Sequence, residues 1–187
     1  MMPVVRVNDA TFLDLANIGA WYRTKSPAET IDRIVKEAME QLGLERDGDA
    51  DEAVVTSGAP MSFTSAPGLS FTKPLKATIG GKNIQSPRWA SILLATIAQV
   101  KTKTGLTGEK LARELNVPAR HDKFENEGFK WHQDLGISVQ GQSAADCWKE
   151  VDRLAKKHGI PAEVEFWWRQ NPKAQHPGKT GTLKSGA

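Results

Sequence analysis

The chain has little cysteine and little tyrosine, one of each, and only four histidines. Cys147 alone cannot close an internal disulfide, which fits a reducing compartment and predicts a cytoplasmic protein. No histidine is spaced from another, or from Cys147, as zinc ligands are, so neither a metal nor a cofactor is expected. No run of ~18 apolar residues exists, so no membrane-spanning helix is predicted. The opening residues, MMPVVRVNDA, lack a cationic stretch followed by an apolar core and do not read as a signal peptide. The rest of the composition is ordinary for a globular protein: 39% hydrophobic and 25% charged residues, a balance that excludes collagen-like and wholly disordered chains. A length of 187 residues allows one domain or two small ones.

The charge divides the chain. Residues 1–43 carry five basic and six acidic side chains, hence −1. Residues 44–68 carry one basic and five acidic, hence −4. Residues 69–187 carry nineteen basic and eleven acidic, hence +8. The middle stretch, ERDGDADEAVVTSGAPMSFTSAPG, is acidic, then rich in small residues, with no helical or strand period. It cannot bury enough apolar surface to offset its ordering entropy, and 44–68 reads as a flexible linker. Residues 170–187 read as a disordered basic tail for the same reason. Two modules remain, 1–43 and 69–169, without an internal repeat.

In the first module, Pro3–Asn8 is a short β-branched run ahead of Asp9, a good helix N-cap. Phe12, Leu15, Ala16 and Ile18–Trp21 then give a broad helical stripe. Ser26 and Pro27 are an N-cap followed by proline at the first helical position, and Glu29 completes a capping box. Ile31, Ile34, Val35, Ala38, Met39 and Leu42 come next at helical spacing, and Gly43 stops the run. One strand and two helices make too small a core for a monomer. A symmetric dimer, its two strands paired over four helices, answers both the unpaired strand and the small core.

This order of elements, carried by VRVNDATFLDL and TKSPAETIDRIVKEAM, resembles the ribbon-helix-helix family of bacterial repressors and antitoxins. The resemblance implies that the ribbon enters the DNA major groove. Strand alternation turns Val5 and Val7 to the core, so Met2, Val4 and Arg6 are the implied base readers. Arg6 is the strongest of these, because a guanidinium donates two hydrogen bonds to guanine O6 and N7. Lys25, Ser26, Ala28 and Glu29, at a helix N-terminus, are the implied phosphate contacts. The alternative is a helix pair that only dimerises.

The second module reads as α+β. Leu75–Ile84 is a hairpin turning at Gly80-Gly81. Ser86 and Pro87 open a helix carrying Trp89, Ile92, Leu93, Ile97 and Val100. After a short helix, Thr107–Leu115, come strands at Phe129–Trp131 and Gly136–Val139. Ser143 and Asp146 box a helix that ends at Gly159, and Ala162–Trp168 is a final strand. The order predicts helices on one face of a small antiparallel sheet. Gly105–Pro118 has the look of the first half of a helix-turn-helix. Pro118 and Gly128, however, interrupt the stretch where a recognition helix would lie, and a packing helix is the favoured reading.

Nothing here assembles into catalytic machinery. His132 and Asp134 are a chance pairing of surface types, Cys147 reads as a packed thiol, and PGKTGT lacks the strand and helix of a phosphate loop. No enzyme is expected. Trp167 alternates with Glu163, Glu165 and Arg169, which places Trp167 and Arg169 on a possible partner surface, or else under the tail. The expected function is that of a homodimeric, sequence-specific DNA-binding protein, a transcriptional regulator or antitoxin-like repressor. The alternative is a protein–protein adaptor whose tryptophan-rich module holds a partner protein.

Overall fold

The computed structural model describes residues 4–44, 58–63 and 65–186. It is mixed α and β, with five helices and two sheets among the described residues, and it divides into two compact units, residues 1–39 and 40–187.

The first unit is two helices, α1 (Asp9–Tyr22) and most of α2 (Pro27–Leu42). Asn8, not Asp9, caps α1: its Oδ1 accepts the Thr11 N–H at 2.8 Å. Arg23 ends the helix at φ 55°, a left-handed conformation that a non-glycine side chain adopts at a cost. The turn is fastened by threonines. The Thr24 and Thr30 hydroxyls share a hydrogen bond of 2.6 Å, and Thr24 Oγ1 donates to the Gly19 carbonyl. A Cβ on Gly19 would lie 2.9 Å from Thr30 Oγ1, so the close approach of the helices requires glycine there. The Ser26 box forms in modified shape: Glu29 N–H donates to Ser26 Oγ, while the Glu29 carboxylate reaches Lys25 N–H instead of Ser26.

The strand predicted at Pro3–Asn8 is corrected. Val4–Asn8 form no strand, and Pro3 lies outside the described residues. A strand exists only where another strand supplies its ladder bonds, and among the described residues of this single chain no strand pairs with the segment. The two-helix part of the module is therefore observed, without its ribbon. The boundary also differs: it falls at residue 39, inside α2, rather than at 43.

In the second unit, β1 (Met61–Ser62), β2 (Thr72–Ile79), β3 (Lys82–Asn83), β7 (Ala162–Trp168) and β8 (Thr180–Ser185) form one sheet in the order β1-β8-β7-β2-β3. Only the β1–β8 pair of this sheet is parallel. A second sheet, β4-β6-β5, joins Ala119–Arg120, Ile137–Gln140 and Phe129–His132. The hairpin turns at Gly80 and Gly81, φ 57° and 78°, the two positive dihedrals such a turn needs. A bulge between Pro74 and Lys76 lies beyond the reach of β3, where proline's missing N–H leaves no ladder bond broken.

Two segments expected to lack structure contribute strands. The tail carries β8, which pairs with β7 along Ala162–Trp167. The linker carries β1, although its residues 45–57 lie outside the described set. Neither strand has an apolar period of its own; both are held by neighbours in the sheet. Ala162–Trp168 is accordingly an interior strand and not the last one, and there are two sheets where one was predicted.

The core joins α3 (Trp89–Thr104) and α5 (Ala144–His158) to the large sheet. Trp89, Ile92, Leu93, Ile97 and Val100 meet Trp148, Val151 and Leu154, with Val164, Phe166 and Trp168 beneath. Buried indole N–H groups need partners, and Trp89 donates to Thr72 Oγ1 while Trp168 donates to the Gly68 carbonyl. The N-cap of α3 is Arg88 and not Ser86, which takes φ 44° in the preceding turn. Ser91 Oγ closes this helix end by accepting Arg88 N–H. At α5, Ser143 caps and Gly159 stops the helix, as the sequence predicts.

Candidate nucleic-acid interface

The first unit leaves most of its large apolar residues uncovered. Among its described residues only Leu15, Gly19 and Thr30 are buried. Val4, Val5 and Trp21 are 84–85% exposed, Leu13 is 65% exposed, and Phe12, Ile31 and Val35 also lie open. The α2 stripe that the sequence marks as a core face is therefore mostly wet. Sidedness is clear nonetheless: Tyr22 donates to Glu37 at 2.7 Å, and the Arg33 guanidinium stacks 4.5 Å from the Tyr22 ring. These polar contacts tie α1 to α2 without closing a core.

Of the implied base readers, Val4 and Arg6 are exposed, and Met2 lies outside the described residues. Lys25, Ser26, Ala28 and Glu29 are all exposed at the start of α2. Here the geometry adds something that the residue types alone did not. The Glu29 carboxylate occupies the helix end, so an incoming phosphate meets a like charge at the same amides.

The second unit contains the remaining sequence candidates and brings none of them together as a site. Trp167 is 2% exposed, which corrects its placement on an outward partner surface. It sits on interior strand β7 between Lys73 of β2 and Thr180 of β8, and β8 is the strand that the sequence does not announce. Arg169 is half-buried just beyond β7. His132 and Asp134 share no hydrogen bond among the described residues; the Asp134 carbonyl instead accepts Lys101 Nζ at 2.6 Å. Burial, with Lys130 nearby, holds the His132 imidazole below its ordinary value. Cys147 is buried, and desolvation followed by the Asp146 charge pushes its thiol up to about 12, where no nucleophilic thiolate forms. The short helix α4 (Gly108–Glu114) is followed by β4 and not by a recognition helix. PGKTGT leads into β8. Among the described residues no three His, Cys, Asp or Glu side chains are grouped as metal ligands, and no helix is long and apolar enough to cross a membrane.

Against family models, curated proteins and solved structures alike, the chain finds no match.

One cavity of about 520 Å³ lies along α5, rimmed by Asp146, Lys149, Asp152 and Lys156 and backed by Glu150 and Arg153. Glu150 is 3% exposed, yet its carboxylate is fully engaged, accepting Asn116 N–H and two donors of Arg153. The cavity wall thus balances its charges and favours neither an anion nor a cation. The same interleaving holds elsewhere in the unit. Lys76 pairs with Glu165, Arg120 with Asp122, Lys157 with Glu114 and Lys184 with Glu163. The +8 of residues 69–187 is dispersed among carboxylates and forms no basic stripe through these residues.

Proposed function

We propose that this chain is a homodimeric, sequence-specific DNA-binding protein of the repressor or antitoxin type, reading the major groove with a ribbon made from the N-terminal segments of two copies. The observation that carries the reading is the uncovered apolar face of α1 and α2, preceded by an exposed β-branched segment that is tied to α1 by the Asn8 cap. A second copy is the occupant that answers both features at once. Its helices cover Ile31 and Val35, and its own Val4–Val7 segment supplies the ladder partner that a lone strand lacks. Exposed Arg6 then lies on the outward side of the ribbon. The work is binding, and no catalytic group is assigned.

The test is binding of the full chain to the DNA upstream of its own reading frame, against random duplex, over a salt series. A preference of about a thousandfold supports the reading. Equal weak binding that vanishes with salt overturns it, because unspecific phosphate attraction behaves that way. Arg6→Ala is expected to abolish the preference while sedimentation still reports a dimer, since Arg6 lies away from the helices; retained preference removes Arg6 as a reader. The adaptor reading loses its proposed surface with the burial of Trp167.

A further inference from the structure

We infer that the side of α1 turned away from α2 joins a second copy of this chain, the two helices packing antiparallel about a two-fold axis at Asn17. This surface is separate from the α2 face of the pair proposed above, and it does not rest on DNA binding. Leu15 and Gly19 are buried and Tyr22 is half-buried; they mark the side of α1 that α2 covers. At about 100° per residue, Leu13, Asn17 and Trp21 centre on the opposite direction, where a surface helix ordinarily carries charge. Here that side holds Leu13 at 65% exposed and Trp21 at 85%, with exposed Ala10 and Ala20 beside them. A helix that is apolar on both sides is covered on both, and α2 covers one.

Symmetry and charge identify the occupant. Leu13 and Trp21 stand four residues either side of Asn17, a row at the spacing of the ridges that interdigitate in the commonest class of helix packing. Laid head to tail, two such rows set each Leu13 against the other copy's Trp21, small against large. They also bring the two Asn17 carboxamides together. Each carboxamide donates and accepts, so the pair satisfies itself and fixes the register, as a lone asparagine does in a helix seam. The charges agree with this sense. Asp9 and Asp14 lie in the first half of α1, and Arg23 and Lys25 follow its end. All four are exposed, and their side chains form no ion pair among the described residues. A head-to-tail pair brings acid toward base and opposes the helix dipoles, whereas a parallel pair sets like charge on like. One helix face buries less than a standard interface of about 1,600 Å², so this contact fills at higher concentration than the α2-side pair.

The experiment traps the contact with a disulfide. Helices packed with axes about 8–10 Å apart bring facing Cα atoms to about 4–5 Å, within disulfide reach. The native Cys147 is buried and does not compete. Full-length chains carrying Asn17→Cys should cross-link under mild oxidant about tenfold faster than chains carrying Lys36→Cys. Lys36 is exposed on α2, away from both α1 and the stripe of Ile31 and Val35. Adding Leu13→Glu or Trp21→Lys to Asn17→Cys should slow the reaction about fivefold. A mixture of those two double variants should recover the rate. In the antiparallel sense the new acid of one meets the new base of the other, and the second contact between Leu13 and Trp21 stays intact. Adding Ile31→Asp should leave cross-linking in place; its loss would make this side part of the pair already proposed and overturn a second surface. Equal rates at positions 17 and 36, or a mixture no faster than its components, overturn the antiparallel contact. No DNA is present, so either failure leaves the DNA-binding reading standing.

Discussion

The two units treat tryptophan in opposite ways. Trp21 of the first is 85% exposed, while Trp89, Trp167 and Trp168 of the second are 2% exposed or less. The contrast extends to whole elements. The helix α5 buries its apolar stripe against α3 and the sheet, whereas α2, with an equally regular stripe, leaves Ile31 and Val35 open. Amphipathic periodicity therefore reports that a face must be covered, not that its own chain covers it. The second unit is long enough to enclose its apolar residues; the first is not.

Four experiments break or sharpen this contrast. The largest effect is expected in the second unit. Phe166 is fully buried and packs edge-on to Trp168 at 4.7 Å between centroids, and Phe166→Ala should cost about 3–5 kcal/mol in urea denaturation. A loss below about 1 kcal/mol would mean that this core is not what holds the unit together. Next comes Ile31→Asp. If a second copy covers the α2 face, removing one buried aliphatic group per chain costs about 1.5–3 kcal/mol, and sedimentation should report monomer. In the unaltered chain the unfolding midpoint of the first unit should rise with protein concentration while that of the second stays fixed. Concentration-independent melting of both would break the comparison.

Smaller is the effect of Glu29→Gln. Taking the negative charge from the start of α2 while keeping an acceptor for Lys25 N–H should tighten DNA binding by about two- to fivefold at low salt, on the scale of a helix-end charge interaction, as measured by fluorescence anisotropy. Weaker binding would show that this helix end does not face phosphate. The smallest concerns Glu114, whose carboxyl is held below its ordinary value of 4.5, chiefly by the hydrogen bond from Lys157, with His158 also contributing and burial opposing. A lowered folded-state value stabilises the fold fully above the unfolded-state value and loses that contribution as pH falls through the folded one. The second unit should accordingly soften below about pH 4.5, and Glu114→Gln should flatten that part of its stability-against-pH curve. The first unit should not respond to this substitution.

Legibility in the sequence divides in the same way, between local and distant causes. The helix α5 is readable because Ser143, Asp146 and Gly159 are local signals, and the hairpin because two glycines supply its turn. Residues 180–185 offer one large apolar side chain, Leu183, after a Pro-Gly pair; their strand is imposed by β7 on one side and β1 on the other. Trp167 is misplaced for the same reason, since its alternation with Glu163 and Glu165 points outward only if no strand covers the end of β7. In the first unit both helices are legible from caps and periodicity. The proposed ribbon needs two copies, so a single folded chain does not test it.

The position of β8 has a consequence for synthesis. It lies between β1 and β7 in space but comes after every other described element in the chain. During translation the first unit emerges before the large sheet, which waits with a gap between β1 and β7. A ribosome that stops early, before residue 180, would release a chain whose β7 keeps a bare edge and whose β1 has nothing to pair with. Such a fragment would still carry the whole first unit. If copies pair through that unit as proposed, the fragment would compete for assembly with intact chains while being the form most prone to aggregate.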